Sequence, residues 1–220
     1  MMIYIILCLL FAAWFIYQEH KKKYVEAVIL KGLASLCFVL LGKSTGNGSM
    51  MSRLILIGLI LGCIADVLLN LRYVFEKKGK IIFLVGILVF LSGHIFYLAA
   101  IMPMCRYPVL CGPTAAVVTF FLMKWIFTKI TAQKAFKIFG IFYIGAIVLM
   151  NTVALCNLIT DRSMFTVIYA LGAILFLVSD IVLILNTFGK ESKFSLRITN
   201  LSLYYVGQIL IAVSLLFLLK

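Results

Sequence analysis

The sequence predicts an all-α protein, a polytopic membrane bundle of eight transmembrane helices. Three observations lead to this prediction: a length of 220 residues, a composition that is 65% hydrophobic and only 12% charged, and apolar runs of spanning length along the whole chain. Soluble domains are nearer half apolar and a quarter charged. Because a chain of this length has no core large enough to enclose so much apolar surface, the composition excludes a soluble globular protein, a disordered chain and a secreted disulfide scaffold.

Hydropathy divides the chain into eight segments, each close to the roughly 20 residues that cross a bilayer. The residues outside these segments are enough only for short loops, so we expect one transmembrane domain over residues 1–220. The first segment is followed by lysines at 21–23 and preceded by no positive charge, so we expect it to remain as a helix and not to be a cleaved signal peptide. Pro108, Pro113 and Lys124 make the fifth segment the weakest. The predicted spans are about 2–18, 24–42, 53–71, 81–101, 109–128, 136–158, 164–188 and 198–219.

The basic residues follow the positive-inside pattern. Fourteen of the 20 Lys and Arg fall at loops one, three, five and seven, whereas five lie in the even loops and at the C-terminus. Because short cytoplasmic loops are enriched in Lys and Arg, we expect the odd loops in the cytoplasm and both termini on the extracytoplasmic side. The net charge of +13 then reflects topology and anionic headgroups, not nucleic-acid binding. The expected location is the inner membrane of a bacterial cell.

Matches at a constant offset suggest an internal repeat. The third span contains Gly58-x7-Asp66, and the seventh contains Gly172-x7-Asp180, 114 residues later. The same offset relates Gly93-His94 in the fourth span to Gly207-Gln208 in the eighth. These matches lead to the hypothesis of a parallel 4+4 repeat with a pseudo-twofold axis along the membrane normal. In such a repeat the two aspartates would be symmetry mates that face a common cavity.

Two carboxylates, Asp66 and Asp180, lie inside apolar spans, and Lys31 lies at a comparable depth. A charge at the bilayer centre costs at least about 2.5–3.5 kcal/mol, so such residues usually face a cavity or a partner. Further polar residues recur at helical spacing on glycine-bearing faces. Each of them can instead serve as an interhelical hydrogen-bond partner, and Lys31 can extend to the cytoplasmic interface. The inward-facing polar set comprises Lys31, Asn70, His94, Tyr97, Tyr143, Ser179, Tyr204 and Gln208.

The six cysteines lie mostly within spans, where they are interpreted as small apolar packing residues. Cys105 and Cys111 flank an expected external loop and are close enough in sequence to pair. No cysteine spacing predicts a metal site. A three-histidine zinc centre is not available either, because His20 and His94 are the only histidines. We therefore expect no metal and no cofactor.

Four stretches of the chain match the motifs of a known family: GLILGCIADVLLN at Gly58–Asn70, FLSGHIFY at Phe90–Tyr97, GAILFLVSDIVLILNTF at Gly172–Phe188 and YYVGQI at Tyr204–Ile209. With these stretches the chain resembles the YhhN family, the lysoplasmalogenases, from Lys31 to the last helix. One departure is Gly32, which stands where the family usually has proline after the lysine. The resemblance implies eight transmembrane helices and hydrolysis of the vinyl ether bond of lysoplasmalogens. The products would be a fatty aldehyde and glycerophosphoethanolamine or glycerophosphocholine.

By position, the resemblance implies that Asp66 and Asp180 are the catalytic carboxylates. Acid cleavage of a vinyl ether begins with protonation of the β-carbon, and water then captures the oxocarbenium ion. One carboxylic acid must supply the proton, and an ionised carboxylate must stabilise the cation and orient water, as in glycosidases. The sequence does not assign the two roles, although we favour Asp66 as the ionised partner. Lys31 is expected to bind the substrate phosphate, and the other residues of the polar set complete the expected binding site.

Two other functions fit the same residues. A proton-coupled transporter or lipid-translocating protein would also use paired intramembrane acids and a basic residue, although no span shows the Gly/Pro-interrupted helix of a transporter ion site. A non-catalytic scaffold would pair the acids with Lys31 structurally. The expected partners are a lysophospholipid substrate, membrane lipid and a second copy of the chain in a homodimer, and nucleic acid is not expected.

Overall fold

The computed structural model describes residues 1–218 and confirms the predicted all-α class. Eight helices within that range are long and apolar enough to cross a membrane. The extended pairing found in this part of the chain is a single bridge between Ile130 and Gly189. The helices are α1 Met2–His20, α2 Tyr24–Thr45, α3 Met50–Val74, α4 Gly79–Ile101, α5 Pro108–Lys129, α6 Lys134–Thr160, α7 Met164–Phe188 and α8 Phe194–Ser214.

The first seven helices contain their predicted spans and extend them by at most three residues at either end. Hydropathy detects only the apolar part of a helix, whereas polar residues continue the backbone hydrogen bonding beyond it. The eighth helix begins earlier than predicted and ends at Ser214, where the 3-10 turn Leu215–Phe217 follows. The predicted end of this span at residue 219, and Lys220, lie outside the described residues.

Proline does not interrupt the fifth span, which was the weakest on sequence. Pro108 occupies the first position of α5, where a missing N–H costs nothing because no intrahelical partner exists there. Pro113 lies inside the helix, yet α5 continues to Lys129. The structure therefore has a full-length helix where the sequence pattern was least clear.

The helices divide into two compact units. The first unit comprises Met1–Ala100 and the C-terminal residues from Ile211. In this unit α1 packs on α2 and α2 packs on α3. The hydroxyl of Thr45, at the end of α2, donates a 2.7 Å hydrogen bond to the backbone oxygen of Ala212. This bond holds the C-terminal segment against α2.

The second unit comprises Ile101–Leu210. Within it α5 packs on α6, and α6 packs on α7. Asn157 of α6 donates a 2.9 Å hydrogen bond from its Nδ2 to the backbone oxygen of Ile101. The bond satisfies a carbonyl at the end of α4, which has no partner within its own helix.

Each unit contains a close helix crossing at a pair of glycines. A methyl group added to Gly93 of α4 would lie 3.2 Å from the backbone oxygen of Gly58 in α3. In the second unit, a methyl group added to Gly207 of α8 would lie 3.0 Å from the backbone oxygen of Gly172 in α7. Small residues at such crossings let backbones approach closely and so increase the van der Waals packing that helps to drive helix association in lipid.

The two crossings correspond position for position at the 114-residue offset. The Leu61 Cβ is the second contact in the first unit, and the Leu175 Cβ is its counterpart in the second. The helices α3 and α7 also begin and end at the same offset. Their N-caps match as well, because Ser49 and Ser163 each accept a hydrogen bond from the backbone N–H three residues on. The internal 4+4 repeat stays a prediction. Matching contacts of this kind are what such a repeat would produce.

Gly207→Ala tests whether the α7–α8 crossing requires glycine. The added methyl group would press on backbone atoms of α7, so we expect a loss of about 1–3 kcal/mol, typical of overpacking. The matched control is Gly112→Ala in α5, where an added methyl group meets nothing within 4 Å. Thermal unfolding of the detergent-solubilised protein measures both variants. Equal stability of the two variants would contradict the close-packed crossing.

Candidate functional site

All ten residues expected in the site are buried. The two aspartates are each 2% exposed, and the most exposed member, Tyr143, is 8% exposed. Buried polar groups require hydrogen-bond partners, because an unsatisfied polar group in an apolar environment costs several kcal/mol. The partners of these residues therefore define what each unit can do.

In the first unit Asp66 forms a buried ion pair with Lys31. The Lys31 Nζ lies 3.1 Å from the Asp66 Oδ1, and the Ser35 hydroxyl donates a 2.5 Å hydrogen bond to the Oδ2. Lys31 and Ser35 are one turn apart on α2, so the packing of α2 on α3 presents both to the same carboxylate. Both carboxylate oxygens are therefore engaged by donors, one of them a cation.

The ion pair continues into a chain of hydrogen bonds toward α1. The Lys31 Nζ also donates to the Asn70 Oδ1 at 3.2 Å, and the Asn70 Nδ2 donates to the Glu19 Oε2 at 2.9 Å. Asn70 follows Asp66 by one turn on α3, so one face of this helix holds both groups. The Phe15 ring of α1 covers the ammonium at 5.4 Å. The result is a connected line of polar groups from Glu19, through Asn70 and Lys31, to Asp66.

These contacts place the Lys31 ammonium inside the unit rather than at the end of α2. Its side chain is 4% exposed, so it does not extend toward a membrane interface.

Glu19 and Ser35 were not among the expected site residues. Glu19 lies among the charged residues that end α1, and Ser35 is a single serine in an apolar run. The spacing of Ser35 one turn after Lys31 was the available signal.

In the second unit Asp180 accepts a hydrogen bond from Tyr143. The Tyr143 hydroxyl oxygen lies 2.5 Å from the Asp180 Oδ2. The contact joins α6 to α7, and both residues belong to the predicted set. A phenol therefore donates to this carboxylate and ties the two helices together.

The remaining predicted residues of α7 and α8 contact one another or nearby aromatic rings. Ser179 donates to the backbone oxygen of Asn200 at 3.0 Å, and the Asn200 Nδ2 donates back to the Ser179 hydroxyl at 2.8 Å. The Gln208 Nε2 donates to the Tyr204 hydroxyl at 3.3 Å. The Tyr204 ring meets the Phe176 ring edge-on at 5.3 Å. Ser179 thus links two helices, while Tyr204 and Gln208 form a polar patch beside an aromatic wall.

His94 and Tyr97 lie in an aromatic row on α4. The His94 ring is 5.8 Å from the Phe90 ring and 6.1 Å from the Tyr97 ring, centroid to centroid. Tyr97 packs directly over Gly58 of α3, so a side chain at position 58 would collide with its ring. The absence of a side chain at Gly58 therefore makes room for the Tyr97 ring.

Both aspartates are buried carboxyl groups held by donors, Asp66 by the Lys31 ammonium and Asp180 by the Tyr143 hydroxyl. Buried carboxyl groups can stabilise a developing positive charge or transfer a proton. The side chains that can share one metal ion within residues 1–218 are the thiols of Cys105, Cys111 and Cys156. Neither aspartate belongs to that group. The common cavity for Asp66 and Asp180 stays a prediction.

Lys31→Met tests the buried ion pair. The substitution leaves the Asp66 carboxylate buried without its cation, so we expect a loss of stability of about 3–5 kcal/mol. The double variant Lys31→Met/Asp66→Asn should recover most of that loss, because it removes both charges. Lys124→Met, at an exposed lysine of α5, is the matched control. Thermal unfolding in detergent distinguishes them, and a Lys31→Met protein as stable as the control would exclude a strong ion pair.

The comparisons with known proteins identify the family. No curated protein and no solved structure matches the chain. The chain does match the YhhN family over residues 26–215. This match extends from the start of α2 to the end of α8, and it therefore includes Asp66, Asp180 and most of the polar residues around them. The protein belongs to the YhhN family.

Proposed function

We propose that this membrane protein is a hydrolase that cleaves the vinyl ether bond of lysoplasmalogens. The products are a fatty aldehyde and glycerophosphoethanolamine or glycerophosphocholine. Membership of the YhhN family fits a membrane hydrolase. The observation that carries the proposal is the presence of two buried carboxylates, each 2% exposed, with the Lys31 ammonium beside Asp66 and the Tyr143 hydroxyl beside Asp180. A reaction that needs one ionised and one protonated carboxyl group can use two buried carboxylates.

The ion pair with Lys31 is the basis for assigning the carboxylate role and the acid role to the two aspartates. The Lys31 ammonium lies 3.1 Å from Asp66, so we assign to Asp66 the role of stabilising the oxocarbenium ion and accepting a proton from the attacking water. The acid role then falls to Asp180, whose proton passes to the β-carbon of the vinyl ether. Tyr143 holds the Asp180 carboxylate that remains after this transfer.

The reaction balances with water as the only co-substrate. Proton transfer to the β-carbon converts the double bond into an oxocarbenium ion, and water adds to the α-carbon while Asp66 takes one of its protons. The resulting hemiacetal breaks its bond to the glycerol oxygen. Its hydroxyl proton moves to that oxygen, and the aldehyde is released. The proton on Asp66 then returns to Asp180 through solvent, which restores the starting state.

In this proposal Lys31 is a positioning residue for Asp66, and its contacts support that role more directly than phosphate binding. Asn70 joins it as part of the same hydrogen-bonded line. The aromatic, hydroxyl and amide groups of the polar set remain the proposed substrate-binding residues: His94, Tyr97, Tyr143, Ser179, Tyr204 and Gln208. We place the protein in the inner membrane of a bacterium, where it meets lysophospholipid and other membrane lipids, and we propose the homodimer as its assembly.

One observation favours a second candidate, proton-coupled transport. The line from Glu19 through Asn70 and Lys31 to Asp66 connects a half-buried carboxylate with a buried one. Chains of ionisable residues inside membrane segments commonly serve as proton pathways in transporters. A transporter would move protons or lipid along such a line without breaking a covalent bond, so product formation separates the two functions.

Aldehyde release from purified protein tests the hydrolase proposal. We expect wild type to release aldehyde from lysoplasmalogens with at least one headgroup, and Asp66→Asn and Asp180→Asn each to reduce the rate by about 10²–10⁴-fold, the usual contribution of an acid or base. Asp161→Asn changes an exposed aspartate in the α6–α7 loop and should leave the rate unchanged. A coupled assay of aldehyde reduction measures all four proteins.

Folding must be checked beside activity, because both aspartates are buried. Thermal unfolding and gel filtration in detergent report whether each variant is intact. A folded wild type that releases no aldehyde from either headgroup, across a range of pH, would refute the hydrolase. Flux of protons or lipid through liposomes containing that same protein would then support the transporter.

A further inference from the structure

Three cysteine thiols converge at one end of the second unit. Cys105 lies in the loop before α5, Cys111 in the first turns of α5 and Cys156 near the end of α6. The Cys105 Sγ is 3.6 Å from the Cys111 Sγ and 3.7 Å from the Cys156 Sγ. All three sulfur atoms lie within 4.8 Å of one another. The fold thus brings Cys156 to two cysteines that precede it by a whole helix and more.

The spacing of the sulfur atoms suits a shared ion. All three cysteines are free thiols, and their separations are well beyond the roughly 2.05 Å of a disulfide bond. Three sulfurs bonded to one ion at about 2.3 Å stand roughly 3.8–4.0 Å apart, depending on whether the ion lies in their plane. The 3.6 and 3.7 Å separations from the Cys105 Sγ are close to this range, so an ion can enter with little movement of the helices.

The number and type of the ligands select the ion. Thiolate ligands favour soft metals such as monovalent copper and zinc. Zinc almost always takes a fourth protein ligand in structural sites. Within residues 1–218 the group contains three sulfurs and no histidine or carboxylate, which favours an ion that accepts three ligands. Monovalent copper is soft and has no such need for a fourth ligand.

The surroundings partly offset the charge of such a site. Three thiolates around one monovalent ion carry a net charge of −2. Cys111 lies near the N-terminus of α5, a 22-residue helix whose dipole favours negative charge at that end. Arg106 directly follows Cys105 in the sequence. Cys111 is buried, whereas Cys105 and Cys156 are half-buried, so part of the group is accessible from the surface.

We propose that Cys105, Cys111 and Cys156 form a binding site for monovalent copper. Three copper–sulfur bonds form as three thiol protons leave to solvent, and no atom changes its oxidation state. The site is independent of the proposed hydrolase chemistry, because it uses none of the residues assigned to that reaction. The sequence contained no sign of it, since Cys156 is 45 residues beyond Cys111.

Copper titration of the full-length protein tests the proposal. The protein is reduced, kept in detergent without oxygen, and titrated with monovalent copper against a colorimetric chelator. We expect one copper per chain. Cys105→Ser, Cys111→Ser and Cys156→Ser should each weaken binding by more than the roughly 10–100-fold that changes to outer-sphere partners cause. Cys63→Ser removes a thiol of α3 outside the group and is the matched control, with unchanged binding.

Thiol labelling of wild type keeps the test valid if a variant does not fold. We expect bound copper to protect Cys105, Cys111 and Cys156 from a maleimide while Cys8, Cys37 and Cys63 keep their labelling, as mapped by mass spectrometry. X-ray absorption should show three sulfur neighbours around the copper. Copper binding that survives Cys156→Ser would overturn the site. So would a reduced protein that protects no thiol, or one that binds zinc stoichiometrically in preference to copper.

Discussion

The buried ion pair between Lys31 and Asp66 is the interaction on which the first unit depends. A membrane helix gains little from burying apolar surface against another helix, because lipid is equally apolar. A charge is different, since the cost of leaving it without a partner is large. Lys31 on α2 and Asp66 on α3 therefore determine how these two helices can pack, and any arrangement that separates them leaves two charges unpaired.

The same pair accounts for the position of α1. Asn70 accepts from Lys31 through its oxygen and donates to Glu19 through its nitrogen, so it uses both ends of its amide. Glu19 lies in the last turn of α1, and Phe15 covers the ammonium from the same helix. Three helices are thus connected through one lysine. The glycine crossings are a second kind of helix contact, in which two backbones pack closely and no charged side chain takes part.

Much of the fold and part of the site could be predicted from sequence. The helices follow from apolar runs, and Asp66, Asp180 and Lys31 stand out because each interrupts one. Asn70 was predictable because it lies one turn from Asp66. Ser35 offered one signal, its position one turn after Lys31, whereas Glu19 and Cys156 were not predictable because their importance depends on which helix packs beside them. Hydropathy identifies each helix but contains no information on its neighbours, so the Lys31–Asp66 pair and the three-thiol group both required the structure.

The paired hydrogen bonds between Ser179 and Asn200 have a consequence for how the chain enters the membrane. The eighth helix is less apolar than the seventh, and it carries Asn200 and Gln208 into the apolar layer. An isolated helix with such residues partitions poorly into lipid. In the folded chain Asn200 bonds to Ser179 of the preceding helix, across a loop of only a few residues. We therefore expect α7 and α8 to insert together as a hairpin, with α7 supplying the partner that makes the insertion of α8 favourable.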